Sequence, residues 1–134
     1  DVVLGYNPTD KLSFKLNYDF GHEADAVSES PAENASWHGL AAYGRYQFSD
    51  WYAVALRGEY FADFDGVRTN VRTTNGVTDL RVWELTLANE FKVYKDLLAR
   101  LEYRPDHASD NVFNAGSSTD NTQDTFGLEL IYPF

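Results

Sequence analysis

The sequence predicts an all-β fold, an antiparallel up-and-down sheet of about seven strands that forms the wall of a β-barrel. Apolar and polar residues alternate with period two over much of the 134 residues, as they do where side chains point in turn to the two faces of a strand. Short breaks alternate with long stretches rich in Ser, Asn, Asp, Gly and Thr, so tight turns and long loops follow one another. Aromatic residues make up 16% of the chain, as three Trp, nine Tyr and nine Phe, which no disordered acidic chain would carry. The length suits a single unit over residues 1–134.

The first strand is expected over 2–8, ending at the break Asn7-Pro8-Thr9-Asp10. The second, 12–22, places Leu12, Phe14, Leu16, Tyr18 and Phe20 opposite Ser13, Lys15, Asn17 and Asp19. A polar stretch over 22–36 reads as a long loop. The third strand, 37–48, sets Leu40, Ala42, Gly44, Tyr46 and Phe48 against Tyr43, Arg45 and Gln47, and Ser49-Asp50 makes a short turn. The fourth, 51–65, sets Tyr52, Val54, Leu56, Gly58, Tyr60, Ala62 and Phe64 against Ala53, Ala55, Arg57, Glu59 and Asp63. A second long loop follows over 65–79, with the turn signal Asn75-Gly76 inside it.

The stretch 80–103 carries two periods. Trp83, Leu87, Phe91, Tyr94, Leu98 and Leu101 recur at helical spacing, and Glu, Lys, Ala and Leu favour helices. The strand pattern puts Trp83, Leu85, Leu87, Phe91 and Val93 opposite Glu84, Thr86, Glu90 and Lys92, with Asn89 the one polar residue on the oily side. Every other segment has period two, so two strands are expected here, 80–94 and 97–106, joined by a turn at 94–96. A third long loop spans 106–124. The last strand, 123–134, alternates Phe126, Leu128, Leu130, Tyr132 and Phe134 with Thr125, Gly127 and Glu129.

Composition removes several functions. The 21 acidic and 11 basic residues give a formal charge of -10, which repels phosphate and excludes a nucleic-acid partner. The chain has no Cys, hence no disulfide, thiolate metal site or cysteine nucleophile. No run of about 18 apolar residues exists, so no transmembrane helix is expected, which leaves a strand-built membrane span open. Ten residues of a strand tilted near 45° rise about 23 Å, close to the apolar band of a membrane barrel. A soluble sandwich or ligand-binding barrel also alternates, with its oily face turned inward. Aromatics beside the short turns (Phe48, Tyr52, Tyr94, Tyr132, Phe134) favour the membrane, because an interface girdle needs rings there. So does the strict alternation of short turns with long loops.

The final strand resembles the C-terminal signal strand of bacterial outer-membrane proteins, with Phe134 last and Phe126, Leu128, Leu130 and Tyr132 at alternate positions before it. That resemblance implies recognition by the barrel-assembly machinery and a C-terminus on the periplasmic side. Trp37-His38-Gly39-Leu40-Ala41-Ala42-Tyr43-Gly44-Arg45-Tyr46, Leu56-Arg57-Gly58-Glu59-Tyr60-Phe61 and Leu128-Glu129-Leu130-Ile131-Tyr132-Pro133-Phe134 are similar to the OmpL-like group of β-barrel porins. The resemblance implies a channel in outer-membrane lipid, passing small hydrophilic solutes or ions by diffusion, with no cofactor. Bacterial single-chain barrels have an even number of strands, and members of the group are longer. Seven strands are therefore expected to be the C-terminal part of a larger barrel, closed by further strands of the same protein or by other copies.

The polar face supplies the candidate pore-lining residues: Lys15, Asp19, Arg45, Arg57, Glu59, Glu84, Glu90, Lys92, Arg100, Glu102, Arg104 and Glu129. Such a ladder either lines a water-filled lumen and orients solutes, or pairs across strands and braces a plugged interior. The second reading makes the protein a structural anchor. No metal site is expected: His22, Glu23 and Asp25, and Asp106, His107 and Asp110, follow no ordered ligand spacing and read as solvated loop charge. No catalysis is expected either, since the three His fall at strand ends and no Gly-x-Ser-x-Gly occurs. Asn34-Ala35-Ser36 marks a glycosylation site only in a eukaryotic secretory setting, which nothing else supports.

Overall fold

Period two becomes seven long strands. The computed structural model describes residues 1–27, 33–73, 76–77 and 79–132, and contains β1 (Val2–Thr9), β2 (Leu12–Val27), β3 (Glu33–Ser49), β4 (Tyr52–Asp63), β5 (Leu80–Tyr94), β6 (Leu97–Ala108) and β7 (Thr122–Ile131). Each strand pairs with the next in sequence, all antiparallel, in one seven-stranded sheet. β1 and β7 form its two edges. The stretch with two competing periods is strand throughout. Its register pairs Leu56 with Leu87, and Leu87 with Tyr103, which keeps the apolar residues of three strands on one face. The 12 residues of β4 extend about 40 Å, enough to cross an apolar layer of about 25 Å when tilted.

Two expectations on the loops need correction. Residues 22–36 are not mostly loop. β2 runs on to Val27 and β3 begins at Glu33, because His22 and Glu23 continue to pair with Ser36 and Ala35 in the ladder. β6 likewise runs to Ala108, so Asp106 and His107 belong to the wall and not to a loop. Their polarity resembles that of a loop, but backbone pairing continues wherever a neighbouring strand is present. The other long connections contain two-residue ribbons, Arg72–Thr73 with Gly76–Val77 and Phe113–Asn114 with Thr119–Asp120. Phe134 and Asn75 lie outside the described residues.

The two faces differ in a way that tells how the sheet bends. The oily face is open to its surroundings: Phe14, Phe20, Leu40, Leu56, Leu85, Leu101 and Leu128 are all exposed, and Phe126 reaches 79%. The polar face is the more enclosed one. Ala41, Ala53 and Ala88 are buried there, as are Thr86, Glu90 and Asp106. A flat sheet would expose both faces alike. The sheet therefore curls with its charged face concave and its apolar face convex. This inverts a soluble sandwich, whose apolar side chains are driven out of water. Among the described residues no helix is long and apolar enough to cross a membrane.

Candidate functional site

All the predicted lining residues project from the concave face, at positions set by the ladder. Register places Tyr43 opposite Arg57 and Arg57 opposite Thr86, with Glu59 opposite Glu84 in the next row. Further along, Glu90 faces Arg100, and Arg100 faces Glu129. Side chains on one face of neighbouring strands lie about 5 Å apart, so opposite charges in these rows meet directly or on the diagonal.

Two ion-pair networks result. In the first, Glu90 accepts from Arg45 at 2.8 Å and from Arg100 at 3.2 Å. Arg100 also reaches Glu129 at 2.7 Å and Glu102 at 3.9 Å. Arg45 sits on β3 and Glu90 on β5, about 10 Å away across β4. The intervening inner residues are Ala53 and Ala55, which leave the guanidinium room to lie across them. In the second network Glu84 binds Arg57 at 2.8 Å and Arg104 at 3.8 Å. Arg57 also meets Glu59 at 3.3 Å, and Arg104 meets Asp106 at 3.2 Å. Thr86 donates to Glu84 at 2.7 Å, and Tyr43 donates to Glu59 at 3.4 Å. The carboxylates at the two hubs are the enclosed members: the Glu84 side chain is 7% exposed, while its partner Arg57 is 34% exposed. The arginines thus lie over the carboxylates and face the concave space.

Three predicted residues stand outside the networks. Lys15 lies over the Tyr43 ring, 5.7 Å from its centroid. Asp19 accepts from Asn17 at 2.8 Å. Lys92 has no ion pair among the described residues and flanks a cleft with Gln47, Asp50 and Asp96 at the short-turn end. Sequence reasoning missed Thr86, Tyr43 and Asp106 as network members. Asp106 was readable, because it continues the even series Arg100, Glu102, Arg104.

At the long-loop end the concave face changes character. Trp37, Asp63 and Leu80 share one row. Asp63 is fully buried, and its Oδ2 accepts from Arg68 N at 2.9 Å, Thr69 N at 2.7 Å and Thr69 Oγ1 at 2.8 Å. Asp65 accepts from Ser36 N at 2.8 Å. Arg68 lies over the Trp37 ring at 4.7 Å. None of these contacts was legible as a motif.

On the convex face, Tyr46, Phe48, Trp51, Tyr52 and Phe91 form a run of ring contacts near the short turns. A second cluster lies toward the other end, where His38 touches Tyr18, Tyr60 and Phe64, and His107 packs on Trp83 at 4.6 Å. Tyr52 and Tyr60 are about 26 Å apart along β4. The polar intruder Asn89 is met by the Tyr52 hydroxyl, which donates to its Oδ1 at 2.9 Å. Phe126, Leu128, Leu130 and Tyr132 line the exposed apolar edge on and just beyond β7. His22, Glu23 and Asp25 lie within β2, and no group of three or more His, Cys, Asp or Glu able to hold a metal occurs among the described residues.

Comparison with curated proteins returns no match, and neither does comparison with solved structures. The family described as "Putative beta-barrel porin-2, OmpL-like" matches residues 1–134. With a match over its whole length, on an antiparallel sheet of inverted polarity, the chain belongs to the OmpL-like family of β-barrel porins.

Proposed function

We propose that this sheet is part of the wall of a bacterial outer-membrane channel through which small hydrophilic solutes or ions diffuse passively, with no chemical step. The observation that carries the reading is the inversion of the two faces. Leu40, Leu56, Leu85, Leu101 and Leu128 are exposed on the convex side, where hydrocarbon would solvate them, and charged residues of both signs line the concave side. Lys15, Asp19, Arg45, Arg57, Glu59, Glu84, Glu90, Lys92, Arg100, Glu102, Arg104 and Glu129 are the lining groups, and pore width with wall charge sets what passes. The outer-membrane lipid contacts the convex face. Phe126, Leu128, Leu130, Tyr132 and Phe134 serve as the signal for the barrel-assembly machinery, with the C-terminus on the periplasmic side. β1 and β7 pair with each other nowhere among the described residues. Unpaired strand edges in lipid cost several kcal/mol per backbone group, so further strands or a second copy close the barrel.

One observation favours a second reading, a braced and plugged structural barrel: Arg45, Arg57, Arg100 and Arg104 are each ion-paired. Reconstitution separates the two. The purified protein, inserted into planar bilayers, is expected to give stepwise conductance. Folded insertion without conductance steps would favour the structural role. A preparation that stays monodisperse without detergent would rule out the membrane location altogether.

A further inference from the structure

We infer that the turn following β4 folds into the concave side as a constriction at the long-loop end of the lumen, and that Arg68 is the group there that meets the passing solute. This rests on the channel reading above and names the residue that sets its charge preference.

The direction of the turn follows from ladder parity. Arg45, Tyr43, Ala41, Gly39 and Trp37 alternate along the inner face of β3, and Arg57, Glu59 and Asp63 along that of β4. Asp63 is therefore an inner-face side chain. The three donors converging on its Oδ2 come from Arg68 and Thr69, so the turn lies on that side of the sheet. Asn70 N donates to Gly66 O at 2.9 Å and closes the turn. Gly66 has φ 66, where a side chain would be strained, and it is buried, which marks the point where the chain doubles back. Asp65 fastens the same turn to β3 through Ser36 N. Together these bonds hold the turn in place on the wall.

Arg68 and Trp37 then meet on that inner side. The Trp37 ring lies over Gly21 on β2 so closely that a Cβ at Gly21 would fall inside it. That contact fixes the ring against the wall. The ring in turn holds the Arg68 guanidinium by cation–π attraction, which uses none of its N–H donors. Each wall arginine is paired with at least one carboxylate, whereas Arg68 has no ion pair among the described residues and is exposed. Its donors, unpaired among the described residues, match a carboxylate or another small oxyanion geometrically. A solute crossing this end therefore meets an available guanidinium, and further along meets guanidinium groups already neutralised.

The chain has no Cys, so an Arg68→Cys variant in the full protein introduces a thiol here without competition from this chain. Single channels would be recorded before and after adding a bulky, membrane-impermeant methanethiosulfonate. Modification is expected to remove a large part of the current. An Arg81→Cys variant, whose side chain lies on the opposite face in register with Ala62, should lose none. In a second variant, Arg68→Ala, the reversal potential in a salt gradient should shift toward cations. Heat-modifiable migration on gels verifies that each variant is folded. If the parent conducts and neither the block nor the shift occurs, the inference is overturned while the channel reading stands. If the folded parent does not conduct, the channel reading falls and takes the inference with it.

Discussion

Leu56 and Arg57 are neighbours in β4 and live in opposite environments. Leu56 is 47% exposed on the convex face. Arg57 lies on the concave face, held by Glu84 and Glu59. The same contrast repeats in other strands, as with Leu101 beside Arg100 and Leu128 beside Glu129. In water this arrangement would be unstable, because each exposed large apolar side chain gives up about 1.5–3 kcal/mol of burial. In hydrocarbon the penalty disappears, and stability shifts to backbone pairing and to the polar interior. The two faces therefore tolerate different substitutions. What breaks one should leave the other nearly untouched.

The largest effect should come from placing a charge on the convex face. Leu87 sits between Leu56 and Tyr103 in one apolar row. A Leu87→Arg variant should lose about 2–4 kcal/mol, the cost of a cation near the bilayer midplane. The same charge on the concave face is the matched control. At Gly127 an added Cβ meets only the Cβ of Glu102, at 3.7 Å, and the carboxylate beyond it. A Gly127→Arg variant should change stability by no more than about 0.5 kcal/mol. Urea unfolding of the protein folded into phosphocholine vesicles would measure both. Equal losses would mean that the two faces do not see different solvents.

Much of this contrast was legible in the sequence, for a simple reason. Period two alone assigns faces, so Phe14, Leu16 and Tyr18 could be separated from Lys15, Asn17 and Asp19 without coordinates. The 80–103 stretch was decided by its neighbours, since a strand pair completes a sheet that five other segments had begun. Which charge meets which was not legible. The Arg45–Glu90 contact spans a whole strand and depends on Ala53 and Ala55 being small, a property of two strands in register and not of any one segment. The turn held by Asp63 was hidden because two of its three donors are backbone N–H groups, which carry no sequence signature. Strand ends were misjudged at 22–36 because polar residues were read as loop where the ladder in fact continues.

A smaller effect should follow from cutting the hub of the inner wall. Glu90 is buried and joins Arg45 to Arg100. Glu90→Gln leaves two guanidinium groups sharing one neutral acceptor. The cost should be about 1–2 kcal/mol, held down because both arginines are partly solvated and Arg100 retains Glu129. Glu129→Gln, at the exposed end of the same network, should cost clearly less. The comparison uses vesicle unfolding again, at low and high salt. If Glu129→Gln proves the costlier change, the enclosed carboxylate is not what braces the wall.

A smaller effect again tests a polar side chain set among the apolar ones. Asn89 is a polar side chain in the apolar row of Val54 and Leu101, and the Tyr52 hydroxyl satisfies its Oδ1. Tyr52→Phe keeps the ring stacking on Phe91, whose centroid lies 5.2 Å away, and removes only that donor. The loss should be about 0.5–1 kcal/mol, the usual worth of such a bond. Asn89→Leu alone strands a tyrosine hydroxyl that can still turn toward the lipid interface, so it should be near neutral or stabilising. In the double variant the hydroxyl and the amide vanish together, and the effect of Tyr52→Phe should shrink toward zero. A double-mutant cycle measured in vesicles gives the coupling directly. Additive single effects would mean that Asn89 is solvated by something other than Tyr52, and that the convex face is wetter at this depth than its leucines suggest.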